Sequence, residues 1–577
     1  MIAIIANALD RPIVSEFFEL FKTPWEFYRD GRKYDIILCA GDGPCDERGT
    51  KLVLTYSGQR LPHDGRGTPL IAKPGQSACI LSCSGSQIPI YGDCVTFARK
   101  SAEFLVDLET GEAGAYLEPG DVGMRARIGY DLFREVRALL SSGQPVEHAK
   151  SPALELHISL LRDLILASGV PLVEVPPVPD GHRFIACLTH DVDHPSVRLH
   201  KFDHTMFGFL YRALFGSLLD AVRGRTPLSH LLRNWAAALK LPFVHLGLVN
   251  DFWSRFQDYP KIEKGLPSSF YIIPFKGRPG RNMQGPAPSS RASAYEAANI
   301  APQIHGLMAA GCEVGLHGID AWRDSSAGQE ELDEIRRITR KTELGVRMHW
   351  LYFDDLSARI LERAGATYDS TVGYNDAVGY RAGTTQVYKP LPVMRLLELP
   401  LHLMDTALFY PRRMNLSPAG AKKQVDDLID QAGHFGGTIT INWHDRSIAP
   451  ERNWGEFYEG LIHQLNQREA WFATASQAVA WFRKRRSVTF DSTHWEAGTL
   501  HVKVTVHQAD DLPALRLRIH KPRSADDATT AGSDALRADI DLRLLDSIET
   551  QIALGPLPKG SLTQDASAND SVTTYAI

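Results

Sequence analysis

The feature that most constrains the fold is a strand-then-helix alternation that begins at Phe184 and continues for about 300 residues. Several of the strand-like runs are continuously apolar, which is typical of a parallel sheet covered on both faces. Amphipathic helices are predicted between them, for example over 329–342 and 354–365. Six or more such units favour an α/β barrel, (β/α)7–8, or a barrel-like sheet, over an open three-layer fold. The predicted strands are 184–192, 268–273, 312–317, 346–353, 396–403 and 437–444.

The segment before the alternation predicts a separate N-terminal domain. Strand-like runs and helical patterns over 1–170 predict a small α/β domain, with helices over 127–141 and 153–168. The proline-rich stretch 170–182 is the predicted linker to the next domain.

The barrel-like domain is predicted to span 183–485, with a helical insertion over 200–260. Within the insertion, residues 205–222 form the longest apolar stretch but include Arg212 and Asp220, which predicts an amphipathic helix. We expect this helix to pack on the core, with contact to a membrane surface as the alternative. Within residues 487–577, apolar and polar residues alternate with a period of two, which predicts a small C-terminal β-rich domain with a polar tail.

The composition argues against a nucleic-acid partner. The 577 residues include 63 Lys and Arg against 68 Asp and Glu, a net charge of −5, so the chain has no overall positive field. The seven cysteines include no CxxC pair, which is typical of free thiols in a reducing compartment. The N-terminal residues lack the basic region of a signal peptide. We therefore expect a cytoplasmic protein with no transmembrane segment.

The densest polar cluster, THDVDH at 189–194, stands where the first predicted strand ends. In parallel α/β folds active sites form at this end of the strands. Asp191 and Asp193 are two residues apart, so in an extended strand they project to the same face. Two such carboxylates repel unless a cation or a proton separates their roles, and a metal on one leaves the other free as a base. The alternative is a strand-end turn that the aspartates cap, although His190 and His194 add ligand chemistry.

Three further strands are predicted to deliver histidine or arginine at the same end. His317 ends the strand 312–317, Arg347 and His349 lie two apart in the next strand, and His444 ends the last one. A mixed set of Asp and His side chains is typical of a site for zinc or another first-row metal with a position open to water.

These motifs resemble those of the metal-dependent polysaccharide deacetylases, carbohydrate esterase family four, with the NodB-homology domain. The resemblance covers roughly residues 183–485. It implies that Asp191 of THDVD is the general base and Asp193 a metal ligand, and that His317 of EVGLHG is a second ligand. It implies further that Arg347 of VRMHW orients the base and that His444 of TINWHD protonates or polarises the reacting group.

The sequence departs from the family's second motif at one position. The family usually has another metal-binding histidine four residues after the first, and here that residue is Ala321. His349 is the first candidate for the third ligand and His194 is the second. In GYRAGT, Arg381 is a candidate contact for an anionic or polar sugar substituent, or else pairs with a surface carboxylate.

The resemblance implies a hydrolase that uses a divalent metal, with zinc expected. Its reaction would remove an acetyl group, N-acetyl before O-acetyl, from a sugar of a polysaccharide or glycan precursor. One alternative is an inactive barrel that binds glycans or acts as a scaffold, which the alanine at 321 favours. Another is a hydrolase of a non-sugar C–N bond. The sequence leaves the oligomeric state open.

Overall fold

The computed structural model describes residues 1–577 except 42, 44–46, 63, 65–70, 74–78, 84, 99–102, 121–122, 225, 497–498, 507–510, 523–536, 543–547, 554–563, 566–571 and 577. The chain forms two compact units. One comprises Met1–Gln144, Ser151–Gly181 and Ala480–Ile577, and the other comprises Pro145–Lys150 and His182–Val479. The division into three domains at the expected boundaries stays a prediction.

The second unit is built on an eight-stranded parallel sheet. When the eight strands are numbered in chain order, their order across the sheet is 6-5-4-3-2-1-8-7. A further strand, Ala470–Phe472, pairs with the start of the first. The eight strands are Phe184–Val192, Ser268–Ile272, Glu313–Gly318, Gly345–Met348, Tyr368–Asp369, Leu397–Glu398, Leu403–Met404 and Thr438–Asn442.

One short stretch of chain bridges the two edges of this sheet. The amide of Leu399 donates to the carbonyl of Asp369 at 2.8 Å on one side, and the amide of His402 donates to the carbonyl of Thr440 at 3.1 Å on the other. The sheet is therefore strongly curved. A mixed α/β unit with a curved parallel sheet is consistent with the predicted barrel-like domain.

Helices cover the outside of the sheet, so its strands are buried on both faces and read as apolar runs. Helix starts follow the sequence signals. The side chain of Asp324, for example, accepts the amides of Ser326 and Ala327 and caps the helix Ser325–Thr339. The other helices outside the insertion are Tyr259–Ile262, Ala301–Ala309, Ser357–Ala364, Asp405–Phe409, Pro418–Phe435, Gly455–Gln467 and Ala475–Ser487.

The insertion between the first and second strands is helical. It contains His204–Tyr211 and Ser217–Val222, joined by a π-helical turn, and the longer helix Leu228–His245. In the described part of the chain, His204–Val222 is one helical stretch that is long and apolar enough to cross a membrane. The expected packing on the core holds for one side of this stretch, and most of it is exposed.

The first unit contains a nine-stranded mixed sheet together with the helices Arg11–Phe21, Leu132–Leu140 and Ala153–Ala167. Strand Leu172–Glu174 pairs antiparallel with Leu515–His520, which pairs with Arg537–Leu542. A five-stranded sheet comprises Thr489–Glu496, Thr499–Thr505, Ile548–Ala553, Gln564–Asp565 and Val572–Ala576. The nine strands are Ile2–Ile5, Trp25–Phe27, Ile36–Ala40, Leu52–Tyr56, Cys79–Cys83, Ser86–Ile90, Glu103–Asp107, Ala113–Pro119 and Met124–Ile128.

Four expected element boundaries are wrong. The strand predicted over 346–353 ends at Met348, and the strand over 396–403 is two short strands. The helix predicted over 127–141 starts at Leu132, because Asp131 caps it and Met124–Ile128 is a strand. The predicted linker 170–182 includes the strand Leu172–Glu174. Much of the predicted C-terminal tail lies outside the described residues.

Candidate metal centre

The carboxyl ends of the parallel strands surround a cavity of about 310 Å³. Asp191 lies at the end of the first strand and Asp193 just beyond it, while His317 lies at the end of the third. His349 directly follows the fourth strand, and His444 lies two residues after the eighth. All five side chains line the cavity. The structure therefore brings together the residues that the sequence singled out on four separate strands.

Asp193, His317 and His349 form the candidate metal site. Each offers one ligand atom, and these atoms lie within 4.8 Å of one another. The Oδ1 atom of Asp193 is 3.3 Å from Nε2 of His317 and 3.6 Å from Nε2 of His349. This oxygen is buried and, among the residues that the structure describes, receives no hydrogen bond of good geometry. A buried, unpaired carboxylate oxygen facing two imidazoles fits a divalent cation such as zinc.

The protonation of the two imidazoles also suits ligation. The Nδ1 atom of His317 lies 2.9 Å from the carbonyl of Arg347, which can only accept, so Nδ1 carries a proton and Nε2 is the nitrogen that faces Asp193. Burial lowers the pKa of His349 well below its usual range, which keeps that ring neutral.

His349 directly follows the short fourth strand, and a sharp turn comes after it. After Met348 the backbone turns sharply, with Trp350 at φ 63° and Leu351 at φ 54°. These are left-handed conformations that non-glycine residues seldom adopt. Ala321, by contrast, is fully buried in the hydrophobic core, where a Cβ built on Gly328 would lie 3.2 Å from its Cα. The side chain at 321 therefore packs in the core instead of reaching the metal site.

The structure places His194 in a different group. Its Nδ1 lies 3.2 Å from Nε2 of His200, and its backbone amide donates to Oδ2 of Asp445. His194 lines the cavity but is not part of the three-residue metal group. His190 is fully buried, with one ring nitrogen against Glu263 and the other against the carbonyl of Trp443, so its role is structural.

A network of donors fixes the carboxylate of Asp191. Nη1 of Arg347 donates to its Oδ1 at 3.1 Å, and the amide nitrogen of Asn442 donates to its Oδ2 at 2.7 Å. Arg347 is fully buried and also donates to the hydroxyl of Thr189 and to Ser370. These contacts hold the carboxylate of Asp191 in one orientation, next to the metal group.

Replacing Arg347 with methionine is expected to lower the free energy of unfolding by about 3–5 kcal/mol, since it leaves the buried charge of Asp191 without its partner. Urea denaturation of the metal-free protein measures this. Arg337→Met, on an exposed helix face, is the control with a small effect. In the Asp191→Asn background the Arg347→Met change should cost less, as a double-mutant cycle would show. Equal costs in both backgrounds would contradict the pairing.

His444 is a further side chain close to the carboxylate of Asp193. Its Nε2 lies 3.9 Å from Oδ2 of Asp193, and its Nδ1 is 2.6 Å from Oδ1 of the buried Asp405. Burial opposes protonation of His444, but the carboxylates of Asp405, Asp193 and Asp191 raise its pKa to about 9. The ring is therefore a cation at neutral pH, with Nε2–H directed at the cavity.

Sequence reasoning missed Asp405 and Asn442. Asp405 directly follows the seventh strand, and Asn442 ends the eighth. Both therefore stand at the same end of the sheet as the residues that were identified, and this position is the signal that could have indicated them. The seventh strand is only two residues long, so the sequence pattern does not indicate that Asp405 follows a strand.

The structure does not bring Arg381 into the cavity lining. Its Nη1 donates to the carbonyl of Gly373 at 2.9 Å, and its guanidinium lies 4.4 Å from the ring centre of Phe353. A substrate contact by Arg381 stays a prediction.

No protein-family profile and no curated protein matches the sequence. Solved structures with partial likeness include a candidate polysaccharide deacetylase from Mycobacterium smegmatis, with 17% identity over 54% of this chain and 95% of that one, at a TM-score of 0.33. A polysaccharide deacetylase from Bacillus cereus has 12% identity over 39% of this chain and 86% of that one, at 0.23. A 4-alpha-glucanotransferase from Thermococcus litoralis has 11% identity over 52% of this chain and 40% of that one, at 0.30. Likeness at this level does not carry an activity from these proteins to this chain.

Proposed function

We propose that the protein is a metal-dependent hydrolase that removes an acetyl group, N-linked in the first instance, from a sugar of a polysaccharide or glycan precursor. The observation that carries the proposal is the unpaired Oδ1 of Asp193, which lies 3.3 Å from His317 and 3.6 Å from His349. The same cavity also contains the fixed carboxylate of Asp191 and the protonated imidazole of His444. The sugar as substrate rests on the motif resemblance. The intact base and acid favour an enzyme over an inactive scaffold.

Zinc is the metal that the donor set of one carboxylate and two imidazoles fits best. When bound there, it supplies Lewis acidity that polarises an acyl carbonyl and lowers the pKa of a water molecule. The protein's own residues then move the protons. Asp191, held by Arg347 and Asn442, accepts a proton from the attacking water as a C–O bond forms.

His444 completes the reaction. Its Nε2–H donates a proton to the leaving nitrogen as the C–N bond breaks, which yields acetate and a free amine. Asp405 holds the ring through Nδ1 and stabilises its cationic form, so that the acid is charged before the reaction starts.

Acetate release tests this proposal directly. The zinc-loaded full chain should release acetate from N-acetylglucosamine oligomers, with one free amine formed for each acetate. Acetate release that requires zinc supports the enzyme. A chain that binds zinc at this site and yet leaves N-acetyl and O-acetyl sugars unchanged would contradict it.

Replacing Asp405 with asparagine is expected to move the alkaline limb of the pH–kcat profile to lower pH by about 1–3 units. The acid must be protonated, Asp405 raises the pKa of His444 to about 9, and the neutral amide removes the main stabilising charge. A pH series over both limbs measures the shift, with the exposed Asp333→Asn as control. An alkaline limb that stays in place would show that His444 is not the acid.

A further inference from the structure

Besides Arg291, four arginines line the cavity beside the candidate metal site: Arg212, Arg413, Arg446 and Arg452. Arg212 comes from the helical insertion, Arg413 from the chain after the seventh strand, and the other two from the loop after the eighth. Separate parts of the fold therefore deliver positive charge to one wall of the cavity. The proposed hydrolysis of a neutral acetyl group uses none of these charges.

Three guanidinium groups of this wall, those of Arg212, Arg446 and Arg452, have nitrogens without a hydrogen-bond partner, although Nη1 and Nη2 of Arg452 donate to Ser447 and Tyr410. Arg446 is only 6% exposed, and its Nε and Nη1 are buried with no hydrogen-bond partner. The Nε atoms of Arg212 and Arg452 are likewise buried and unpaired. In the described part of the chain no carboxylate lies within 4.0 Å of these three guanidinium groups. Buried donors of this kind are costly unless a ligand completes them.

The surroundings show the effect of the positive charge. The guanidinium of Arg452 is the main cause that lowers the pKa of Tyr410 to about 7, with Arg446 and Arg212 contributing. Three carboxylates lie nearby: Asp405 is engaged by His444, Asp445 accepts the amide of His194, and Glu451 acts on Arg212 and Arg452 through its charge. Glu451 offsets one of the three guanidinium charges, so the wall keeps an excess of positive charge.

We infer that Arg212, Arg446 and Arg452 form a subsite for a phosphoryl group carried by the substrate, next to the acetyl group at the metal site. Three guanidinium groups with free N–H donors match the oxygens of a phosphate monoester or diester. That the substrate is an acetylated sugar rests on the proposed function, whereas the binding of a phosphoryl group does not. It narrows the substrate class to acetylated sugars that bear a phosphate.

Calorimetry on the metal-free full chain tests the subsite separately from catalysis. Inorganic phosphate should bind, and Arg446→Met and Arg212→Met should each weaken its binding by about tenfold or more. Arg212 is partly exposed, so its variant serves if Arg446→Met does not fold. Arg337→Met, which removes an equal charge outside the cavity, should bind phosphate like the wild type.

Kinetics of the zinc-loaded chain separate a phosphate on the sugar from free phosphate. N-acetylglucosamine 1-phosphate should have a lower KM than N-acetylglucosamine, and Arg212→Met should remove the difference. If neither sugar is hydrolysed while phosphate binding depends on the arginines, the subsite stands and the hydrolase proposal fails. Phosphate binding that is insensitive to both arginine variants, or a phosphorylated sugar with no advantage, would overturn the subsite.

A second observation concerns the surface of the insertion. Of the 25 large apolar side chains that are exposed in the described chain, 17 lie between residues 199 and 249. On the helix Leu228–His245 they recur at helical spacing along one face, at Leu228, Leu232, Trp235 and Leu239. The opposite face packs against Trp253 and its neighbours. Monomeric soluble proteins seldom expose a continuous apolar surface of this kind.

The charge of the same segment indicates what could cover this surface. Residues 199–249 contain six Lys or Arg and two Asp or Glu, so the segment is cationic in a chain whose net charge is −5. An apolar helical face with basic residues beside it is typical of helices that lie in the interface of an anionic bilayer. A helix crossing the bilayer fits less well, because Arg212 in the middle of His204–Val222 lines the cavity.

We propose that the face of Leu228–His245 and the exposed side of His204–Val222 dock onto a bilayer that contains anionic lipids. The stretch His204–Val222 contributes both to this surface and, through Arg212, to the cavity. A bilayer at this surface would therefore lie beside the cavity that holds the candidate metal site.

Co-sedimentation of the full chain with vesicles tests the docking. Vesicles of phosphatidylcholine with phosphatidylglycerol should bind the protein, and phosphatidylcholine alone should bind it more weakly. The double variant Leu232→Gln/Leu239→Gln should weaken binding by about tenfold or more, since each leucine is exposed and buries apolar area only in lipid. Met394→Gln, at an exposed apolar residue elsewhere, is the matched control.

Analytical ultracentrifugation distinguishes the alternative occupant. If the wild type forms a dimer that the double variant abolishes, and no vesicle binding is seen, the surface joins two copies of the chain and the bilayer proposal is overturned. Binding to vesicles that the double variant and Met394→Gln reduce equally would also overturn it.

Discussion

Replacing Asp191 with asparagine is expected to lower kcat/KM for acetate release by about 10²–10⁴-fold. The amide keeps the size of the side chain and can still hydrogen bond to Asn442, but it cannot accept the proton of the attacking water. The loss should therefore appear mainly in kcat, while the substrate still binds. Steady-state kinetics on N-acetylglucosamine oligomers measure it.

Zinc content is the control for this variant. Asp191 is not among the three residues of the candidate metal site, so the variant should keep about one zinc per chain. Near-normal activity with zinc retained would remove Asp191 from the role of base. Loss of zinc together with activity would assign it to the metal site instead.

Replacing His317 or His349 with alanine is expected to weaken zinc binding by more than about 100-fold, because each change removes one of three protein ligands. Activity should fall with metal content. Both histidines are almost fully buried, so the folded state of each variant is checked by its unfolding midpoint. Competition with a zinc chelator measures the affinity.

His194→Ala is the matched control, since its side chain lines the same cavity but points at His200. We expect this variant to bind zinc as tightly as the wild type. If His194→Ala loses zinc and His349→Ala retains it, the third ligand is His194, and the metal group of Asp193, His317 and His349 is wrong.

Much of the barrel-like unit could be predicted because its strands are long apolar runs that end in polar residues. The strand Phe184–Val192 has the bounds that the sequence predicts, since apolar residues fill it and polar ones follow. The strands from residue 396 to 404 were harder, because Pro400 interrupts the run and the chain pairs with one neighbour and then with the other. Such a change of partner depends on tertiary contacts that periodicity does not record.

The candidate site was predictable where an aspartate or a histidine stands at the end of a predicted strand. Asp191, Asp193 and His317 stand at or just beyond the ends of strands, and the structure brings them to one cavity. The sequence reasoning placed both aspartates on one face of a strand, but Asp193 lies past the strand end. Both carboxylates nevertheless lie near Nε2 of His317, that of Asp193 at 3.3 Å and that of Asp191 at 3.8 Å.

His349 and the arginine wall illustrate what the sequence could not supply. His349 was a candidate ligand on an assumed regular strand, but that strand ends at Met348 and a left-handed turn at Trp350 and Leu351 follows, which the sequence pattern does not indicate. Arg212 and Arg446 are more than 200 residues apart in the sequence, and only the folded insertion brings them to one wall. Long-range convergence of this kind requires the coordinates.

Anomalous diffraction from crystals of the zinc-loaded protein, recorded on both sides of the zinc edge, tests the central claim most directly. We predict one strong peak about 2.0–2.2 Å from a carboxylate oxygen of Asp193 and from Nε2 of His317 and His349. A peak at His194 and His200, or no peak in crystals whose protein carries zinc in solution, would contradict the site and the hydrolase built on it.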